Sequence, residues 1–395
     1  MCNKKFHVIG ISDSRDFYLS PKLRKIVDGC KVFSGGKRHF EIVNDCLPEK
    51  YEWIDVTVPL CDVFTRYENH EEIVVFASGD PLFFGFGATL MREFPEAEIE
   101  IYPALNSLQL LAHRLLMPYQ DMVCVSLTGR PWKNLDDALI KGEKMIGVLT
   151  DRVKTPRSIA RRMIEYGYDN YQISVGVALG NEADEEVVTL TTCQVAEREF
   201  SQPNCMILRK THDLKRQFGI PEGEFRHLEG RGNMITKMPV RLLSLSMLGL
   251  YDKHTLWDIG FCTGSVSIEA RLEFPHLNII SFEKRKESEA IMIENCRKFH
   301  APGIVAVTAD FFDLNLREYP APDAVFIGGH GGRLPEMLIR VKEILLPGGC
   351  IVFNSVSKES CDTFCRETER LGMRIAERHL ITLDNFNPIT IIKAQ

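Results

Sequence analysis

Two short glycine-bearing stretches could close a backbone around a ligand. One is Leu256-Trp257-Asp258-Ile259-Gly260-Phe261-Cys262-Thr263-Gly264-Ser265, an apolar run that ends in a turn and passes into a helical pattern over 266–272. Glycine at 260 and 264 permits an approach that a Cβ would block. Glu283 closes the next apolar run, nineteen positions after Gly264. An acidic side chain there can accept hydrogen bonds from both hydroxyls of a ribose. Asp310 follows a further run and is placed for an adenine edge, with Phe311 able to pack on the ring. A strand–turn–helix of this kind fits NAD as well as S-adenosylmethionine. The missing third glycine of Gly-x-Gly-x-x-Gly, and Asp258 just before the loop, favour S-adenosylmethionine, whose ammonium end Asp258 can help to address.

The same half carries Gly328-Gly329-His330-Gly331-Gly332 at the end of another apolar run, where open α/β sheets bind ligands. The second stretch is Ala77-Ser78-Gly79-Asp80-Pro81-Leu82-Phe83-Phe84-Gly85. There Asp80 can bond its own backbone in a turn and Pro81 can begin a helix.

Strands and helices must hold these turns. Residues 6–11, 31–34, 73–77 and 98–102 read as strands alternating with helical patterns, so βα units and a mostly parallel sheet are expected. A second block offers strands at 122–127, 144–149, 173–178 and 205–208, with 185–190 as an antiparallel partner. Residues 213–234 are rich in charge, Gly and Pro and read as a linker with a docking segment. Beyond them a helix at 240–248 leads into strands at 255–259, 279–283, 305–308, 324–327 and 350–354. The expected division is therefore 1–212, 213–234 and 235–395.

Bulk composition narrows the function. With 395 residues, 45% hydrophobic and 26% charged, the chain can build two or three ordinary cores. A net charge of -6 argues against general nucleic-acid binding. Met1-Cys2-Asn3-Lys4-Lys5 lead straight into an apolar run, so no signal peptide is expected, nor a membrane span; the expected location is cytoplasmic. Twelve cysteines without pairing rhythm read as reduced, small apolar residues. Eleven histidines show no ligand spacing, and no metal is expected.

Three separated motifs then combine: Asp258-x-Gly260-x-x-Thr263-Gly264-Ser265, Met234-Ile235-Thr236-Lys237 with Val240-Arg241, and Phe326-Ile327-Gly328-Gly329-x-Gly331-Gly332. Together with Asn387-Pro388-Ile389-Thr390 they resemble the precorrin carbon-15 methyltransferase (decarboxylating) family over about 228–395. The resemblance implies a Rossmann-like class I methyltransferase domain. Its S-adenosylmethionine site would be lined by Thr236, Asp258, Gly260, Phe261, Cys262, Thr263, Gly264, Glu283, Asp310 and Phe311. Lys237 and the Gly328, Gly329, His330, Gly331 and Gly332 loop would face the substrate. Phe261, Cys262 and His330 depart from that family's usual Ala, Gly and Ser.

In the first half, Gly35-Gly36-Lys37-Arg38-His39 precedes the Gly79 turn, while Asn106-Ser107-x-Gln109 and Ser126-Leu127-x-Gly129-Arg130 follow it. This order is similar to the tetrapyrrole (corrin/porphyrin) methylase family, nearest its precorrin carbon-5 branch, over about 6–210. It implies two α/β halves with S-adenosylmethionine between them, touched by Gly79, Asp80, Pro81, Leu82, Phe83 and Ser107, and Arg130 facing the substrate. Gly10-Ile11-Ser12-Asp13-Ser14 replaces the family's glycine-rich first loop, which implies a less close backbone approach there. The whole resembles a fusion of the two families acting on a precorrin or its cobalt counterpart, without nucleic acid or membrane, as a homo-oligomer. Lys37, Arg38, Arg130, Arg152, Lys237, Arg241 and Arg333 are candidates for the acidic arms of such a ring. Rival readings are an RNA or protein methyltransferase, and a scaffold whose first half only binds the intermediate.

Overall fold

The computed structural model describes residues 4–15, 17–384 and 386–395. The opening Met1, Cys2 and Asn3 lie outside the described residues. Two compact units divide the chain. One holds the residues up to Leu135 with Glu143–Arg162 and Asp169–His212, and the other holds Asp136–Gly142, Met163–Tyr168 and Asp213–Gln395.

The first unit contains two five-stranded sheets. Strands β1 (Lys5–Ile11), β2 (Val32–Gly35), β3 (Glu52–Asp55), β4 (Glu72–Ser78) and β5 (Glu98–Tyr102) form an all-parallel sheet in the order β3-β2-β4-β1-β5. The central strands β1 and β4 are buried through most of their length, as a sheet covered on both faces requires. The four-residue β3, too short to show a period, is the one strand of this sheet absent from the expected set. Strands β6 (Val123–Ser126), β7 (Met145–Leu149), β8 (Tyr171–Val177), β9 (Glu186–Thr191) and β10 (Asn204–Lys210) make a mixed sheet, β6-β7-β10-β8-β9. Here β9 is the expected antiparallel partner of β8.

The second unit has one seven-stranded sheet, β13-β12-β11-β14-β15-β17-β16. Its strands are β11 (Thr255–Ile259), β12 (Asn278–Glu283), β13 (Ile304–Thr308), β14 (Ala324–Ile327), β15 (Cys350–Ser355), β16 (Ile375–Ile381) and β17 (Ile389–Ala394). The first five run parallel, and β17 enters antiparallel between β15 and β16. Trp257 is fully buried at its centre, its ring 4.9 Å from Phe282, while its indole N–H reaches the Pro320 carbonyl at 3.0 Å. The chain order reverses beside β11, between β12 and β14, the position where open α/β sheets leave a crevice.

Part of the segment read as a linker is packed. Ile220 and Phe225 are buried against Phe261, Ile268 and Met292. The buried Glu269 carboxylate accepts from the backbone N–H groups of Gly219 (2.7 Å) and Ile220 (3.2 Å) and from Arg241 Nε at 3.0 Å. Few apolar residues are needed because a buried ion pair ties the backbone down.

Eleven described cysteines are free thiols; Cys61 and Cys193 are exposed rather than interior. No helix among the described residues is long and apolar enough to cross a membrane. His7, Cys30 and Glu72, far apart in sequence, each bring one ligand-capable atom within 4.8 Å of the others. No spacing in the sequence announces that grouping.

Candidate active sites

Each unit has a cavity at the carboxyl ends of its strands, beside a glycine turn. In the first, of about 380 Å³, Gly79 sits at φ +61°. Its N–H donates to Ile11 O (2.7 Å), and its carbonyl accepts from Ala104 N (3.2 Å). Gly10 is needed for this closure, since a Cβ there would lie 1.9 Å from the Gly79 oxygen. The turn continues with Asp80 Oδ1 accepting from Leu82 N at 2.9 Å, as expected, and Asp80 O from Phe83 N at 3.0 Å. Pro81 does not begin a helix, because the turn runs on through Phe84 at φ +53° and the helix starts only at Phe86 (Phe86–Glu93).

Gly79, Phe83 and Ser107 line this cavity, along with Ile11, Ser12 and Asp13 of the glycine-poor loop. Asp80, Pro81 and Leu82 shape the turn without lining the cavity. Ser107 begins a helix (Ser107–Arg114) whose start is fixed by reciprocal bonds between Asn106 and Gln109, at 2.9 and 3.0 Å. Arg130 is outside the lining, held by Ser126 Oγ at 2.7 Å and set 5.4 Å from the centre of the Phe84 ring. Phe84 itself lines the cavity at φ +53°, a rare conformation for a bulky side chain.

The chief residues that sequence reasoning left without a role here are His39 and Ser78. His39 Nε2 and Arg38 Nη2 each reach Ser78 Oγ at 2.9 Å, and Arg38 Nε lies 3.5 Å from the buried Asp13 carboxylate. Gly36 N donates to His39 Nδ1 at 3.1 Å, so the neutral ring carries its proton on Nε2 and donates it to Ser78. Burial, reinforced by the Arg38 charge, lowers the His39 pKa to about 4 and keeps the ring neutral. Ser78 thereby receives two donors and keeps its own proton to give. The Gly35-Gly36-Lys37-Arg38-His39 motif marked the place, but nothing in the sequence showed that it meets Ser78.

The second cavity holds about 730 Å³. Gly260, at φ +84°, lies against the other glycine loop: an added Cβ would be 2.7 Å from Gly329 N. Ile259 O accepts from both Gly328 N (2.9 Å) and Gly329 N (3.3 Å). Gly264, at φ +76°, caps the helix Ser265–Glu273 without lining the cavity, and Gly332 is likewise outside it. The other predicted residues do line it: Thr236, Lys237, Asp258, Gly260, Phe261, Cys262, Thr263, Glu283, Asp310, Phe311, Gly328, Gly329, His330 and Gly331.

Glu283 is almost fully buried. Its Oε2 accepts from Cys262 N (3.2 Å), and its Oε1 accepts from Lys284 N (3.0 Å), Arg285 N (3.2 Å) and Arg285 Nη1 (3.0 Å). The carboxylate thus ties the glycine turn to the end of β12, and Oε2 retains a lone pair for a ligand. Asp258 Oδ2 takes the Ser267 hydroxyl, whereas the buried Oδ1 has no hydrogen-bond partner among the described residues, nor has the buried Thr263 Oγ1. Burial, helped by the Glu283 charge, raises the Asp258 pKa to about 7. Two buried polar atoms without a partner among the described residues, both on residues that line the cavity, are what a small polar ligand would complete.

Cys262 occupies φ +51°, with its thiol 2.9 Å from Met234 O. Burial and the Glu283 charge push that thiol up to about 11. Phe311 is buried edge-on to Phe282, with centroids 5.4 Å apart, and still lines the cavity. His330 Nδ1 accepts from Gly332 N at 3.2 Å, which folds the glycine loop back on itself, and burial lowers its pKa. Arg241 must be removed from the ligand-facing candidates. It is fully buried, donating to Glu269 and to the carbonyls of Thr236 and Ile220, because it anchors the segment that precedes the helix Met238–Leu248.

Comparison with known proteins follows the same division. Residues 5–196 match the family model for tetrapyrrole (corrin/porphyrin) methylases, and 227–393 match that for a precorrin methyltransferase domain. A precorrin-6Y C(5,15)-methyltransferase [decarboxylating] of Sinorhizobium sp is 32% identical over 368 residues, 92% of this chain and 88% of that protein. Two proteins of Salmonella typhimurium (strain LT2) match one half each. A cobalt-precorrin-6B C(15)-methyltransferase (decarboxylating) is 31% identical over 41% of this chain and 83% of its own length. A cobalt-precorrin-7 C(5)-methyltransferase is 27% identical over 44% of this chain and 85% of its own length. Identity of this extent, carried across both units, shows that the chain belongs to the precorrin-6Y C(5,15)-methyltransferase (decarboxylating) family, methyltransferases of cobalamin biosynthesis.

Proposed function

We propose that the two units are separate methyl-transfer sites for one tetrapyrrole, a precorrin or cobalt-precorrin, each using S-adenosylmethionine. The first, within about 1–212, would methylate C5; the second, within about 235–395, would methylate C15 and release an acetate arm as carbon dioxide. The observation that carries this reading is the doubling of the site: two cavities, each beside its own glycine turn, in units matched by two different methyltransferase families.

The residues fit the cofactor. In the second unit Asp258 Oδ1, Thr263 Oγ1, the Gly260 backbone and Glu283 Oε2 would hold it; in the first, the Gly79 turn, Phe83 and Ser107 would do so. S-adenosylmethionine supplies an electrophilic methyl group on sulfur. The electron-rich ring supplies the nucleophile, so the protein's task is positioning and exclusion of water. Arg38 and Arg130 in the first unit, and Lys237 and Arg333 in the second, are suitable partners for the ring's carboxylates. In the second unit, an arm carboxylate seated on the loop 328–331, from which the bound ring and cofactor would displace water, would be destabilised in its charged form. On loss of carbon dioxide the electron pair passes into the conjugated ring, and a proton returns to the arm carbon.

Calorimetric titration of the full chain with S-adenosylmethionine or its demethylated product tests the reading. Two equivalents per chain are expected, and one equivalent would leave the first unit a scaffold.

A further inference from the structure

We propose that His7, Cys30 and Glu72 of the first unit form a zinc site, with Glu100 orienting the histidine from behind. One nitrogen, one sulfur and one oxygen of these three side chains all lie within 4.8 Å of one another. A tetrahedral zinc spaces such atoms about 3.3–3.6 Å apart, so a shift of about an ångström closes the set. Strand register brings the groups together. His7 of β1 stands opposite Val74 of β4 and Glu100 of β5, and Glu72 stands opposite Lys5, two residues back on the same face. Cys30 follows the helix Pro21–Gly29, which packs on that face against Ile9 and Val74. The cluster lies toward the amino ends of these strands, and none of its residues lines the first cavity.

The chemistry of the group fits zinc. His7 and Cys30 are each 5% exposed, while the Glu72 side chain is 49% exposed and gives an ion its way in. His7 Nε2 lies 2.9 Å from Glu72 Oε1. Its Nδ1 is buried, makes no hydrogen bond among the described residues, and lies 3.2 Å from Glu100 Oε2. A metal on Nε2 leaves the single imidazole proton on Nδ1, toward that carboxylate, which is how proteins fix a histidine ligand. Glu100 is held in turn by Lys5 at 2.8 Å and by the Tyr102 hydroxyl. Lys5 is shared with Glu98, whereas Glu72 pairs with no lysine or arginine among the described residues. A histidinium between Glu72 and Glu100 accounts for two of these contacts but leaves the thiol without a role. Thiol, imidazole and carboxylate together suit zinc rather than calcium or magnesium, which take oxygen ligands. On binding, zinc replaces the Cys30 thiol proton, which passes to solvent, and water takes the fourth position beside Glu72.

Cobalt(II) is the probe, because a thiolate ligand gives it an intense near-ultraviolet absorption band, and zinc chloride is the competitor. The metal-free full chain should bind one equivalent of cobalt with that band, and zinc should abolish it. Cys30→Ser should lose the band, while a chain carrying Cys61→Ser and Cys193→Ser at the two exposed thiols should keep it. His7→Gln, which leaves every thiol in place, should lose it as well, and provides the check where Cys30→Ser does not fold. Glu100→Gln should keep the band but weaken zinc by about 10- to 100-fold. Zinc should raise the unfolding midpoint of the wild-type chain and not that of Cys30→Ser. A wild-type chain without the band, or a band that survives Cys30→Ser or His7→Gln, overturns the site. Unchanged zinc affinity in Glu100→Gln overturns its positioning role.

Discussion

The two glycine turns solve one geometric problem in opposite electrostatic ways. In the first unit Gly10 is pressed onto Gly79; in the second Gly260 is pressed onto Gly329. Both bring strand ends to a distance that a Cβ forbids. Around the first turn most polar side chains are paired: Arg38 and His39 converge on Ser78, and the buried Asp13 Oδ1, which has no hydrogen bond among the described residues, faces Arg38 Nε at 3.5 Å. Around the second, Asp258 Oδ1 and Thr263 Oγ1 are buried and unmatched among the described residues, and no cation is paired with either. A site wired mostly internally needs its ligand less for stability, whereas a site with orphaned atoms is completed by it.

The largest effects should come from closing those contacts. Gly10→Ala drives a Cβ into backbone, and Gly260→Ala adds a left-handed penalty to the same collision. Each is expected to cost about 3 kcal/mol in its own unit. C5 methylation should vanish in the first variant and C15 methylation in the second, with the other reaction retained. Denaturation curves paired with separate assays of the two products check this. A Gly10→Ala chain with normal C5 activity would break the parallel.

Next is Glu283→Ala, which frees the N–H groups of Cys262, Lys284 and Arg285 as well as removing the proposed ribose acceptor. Second-site affinity for S-adenosylmethionine should fall by about 1.5–3 kcal/mol, the range for hydrogen bonds to a charged group. First-unit binding should not move. Calorimetry resolves the two classes of site, and an unchanged second class would remove Glu283 from the cofactor.

The smallest effect sharpens the contrast. Buried Asp258 has its pKa raised to about 7, so its contribution to stability is complete below the ordinary carboxylate range and is lost as pH rises through 7. Half-buried His39 has its pKa lowered to about 4, so its contribution is complete above the usual histidine range and is lost as pH falls toward 4. The units should therefore drift in opposite directions across pH 5 to 6.5, by no more than about 1.4 kcal/mol per pH unit for each group. Asp258→Asn and His39→Gln should each flatten one drift in unfolding measured against pH. Changes of the same sign in both variants would dissolve the contrast.

Where a residue's role is fixed by its neighbours along the chain, the sequence was legible. Gly260, Gly264 and Glu283 are constrained by strand, turn and helix within 25 positions, and β11 and β14 fall at their expected bounds. Strand β16 was not anticipated because Glu377, Arg378, His379 and Leu380 are exposed on a sheet edge, which erases the apolar period. The missing site residues share a different cause. His39 meets Ser78 across 39 positions and His7 meets Glu72 across 65, through pairings that only the folded sheets create.

The double use of Ile259 O has a consequence for binding measurements. That carbonyl holds Gly328 and Gly329, and Gly260 rests on Gly329, so the turn expected for the methyl donor and the loop expected for the acceptor are one continuous piece of hydrogen-bonded backbone. A ligand that settles one side alters the energy of the other, and such coupling is reciprocal. Donor and acceptor affinities measured singly will then not multiply to give the affinity of the ternary complex. The shortfall or surplus is itself the coupling energy of the shared carbonyl.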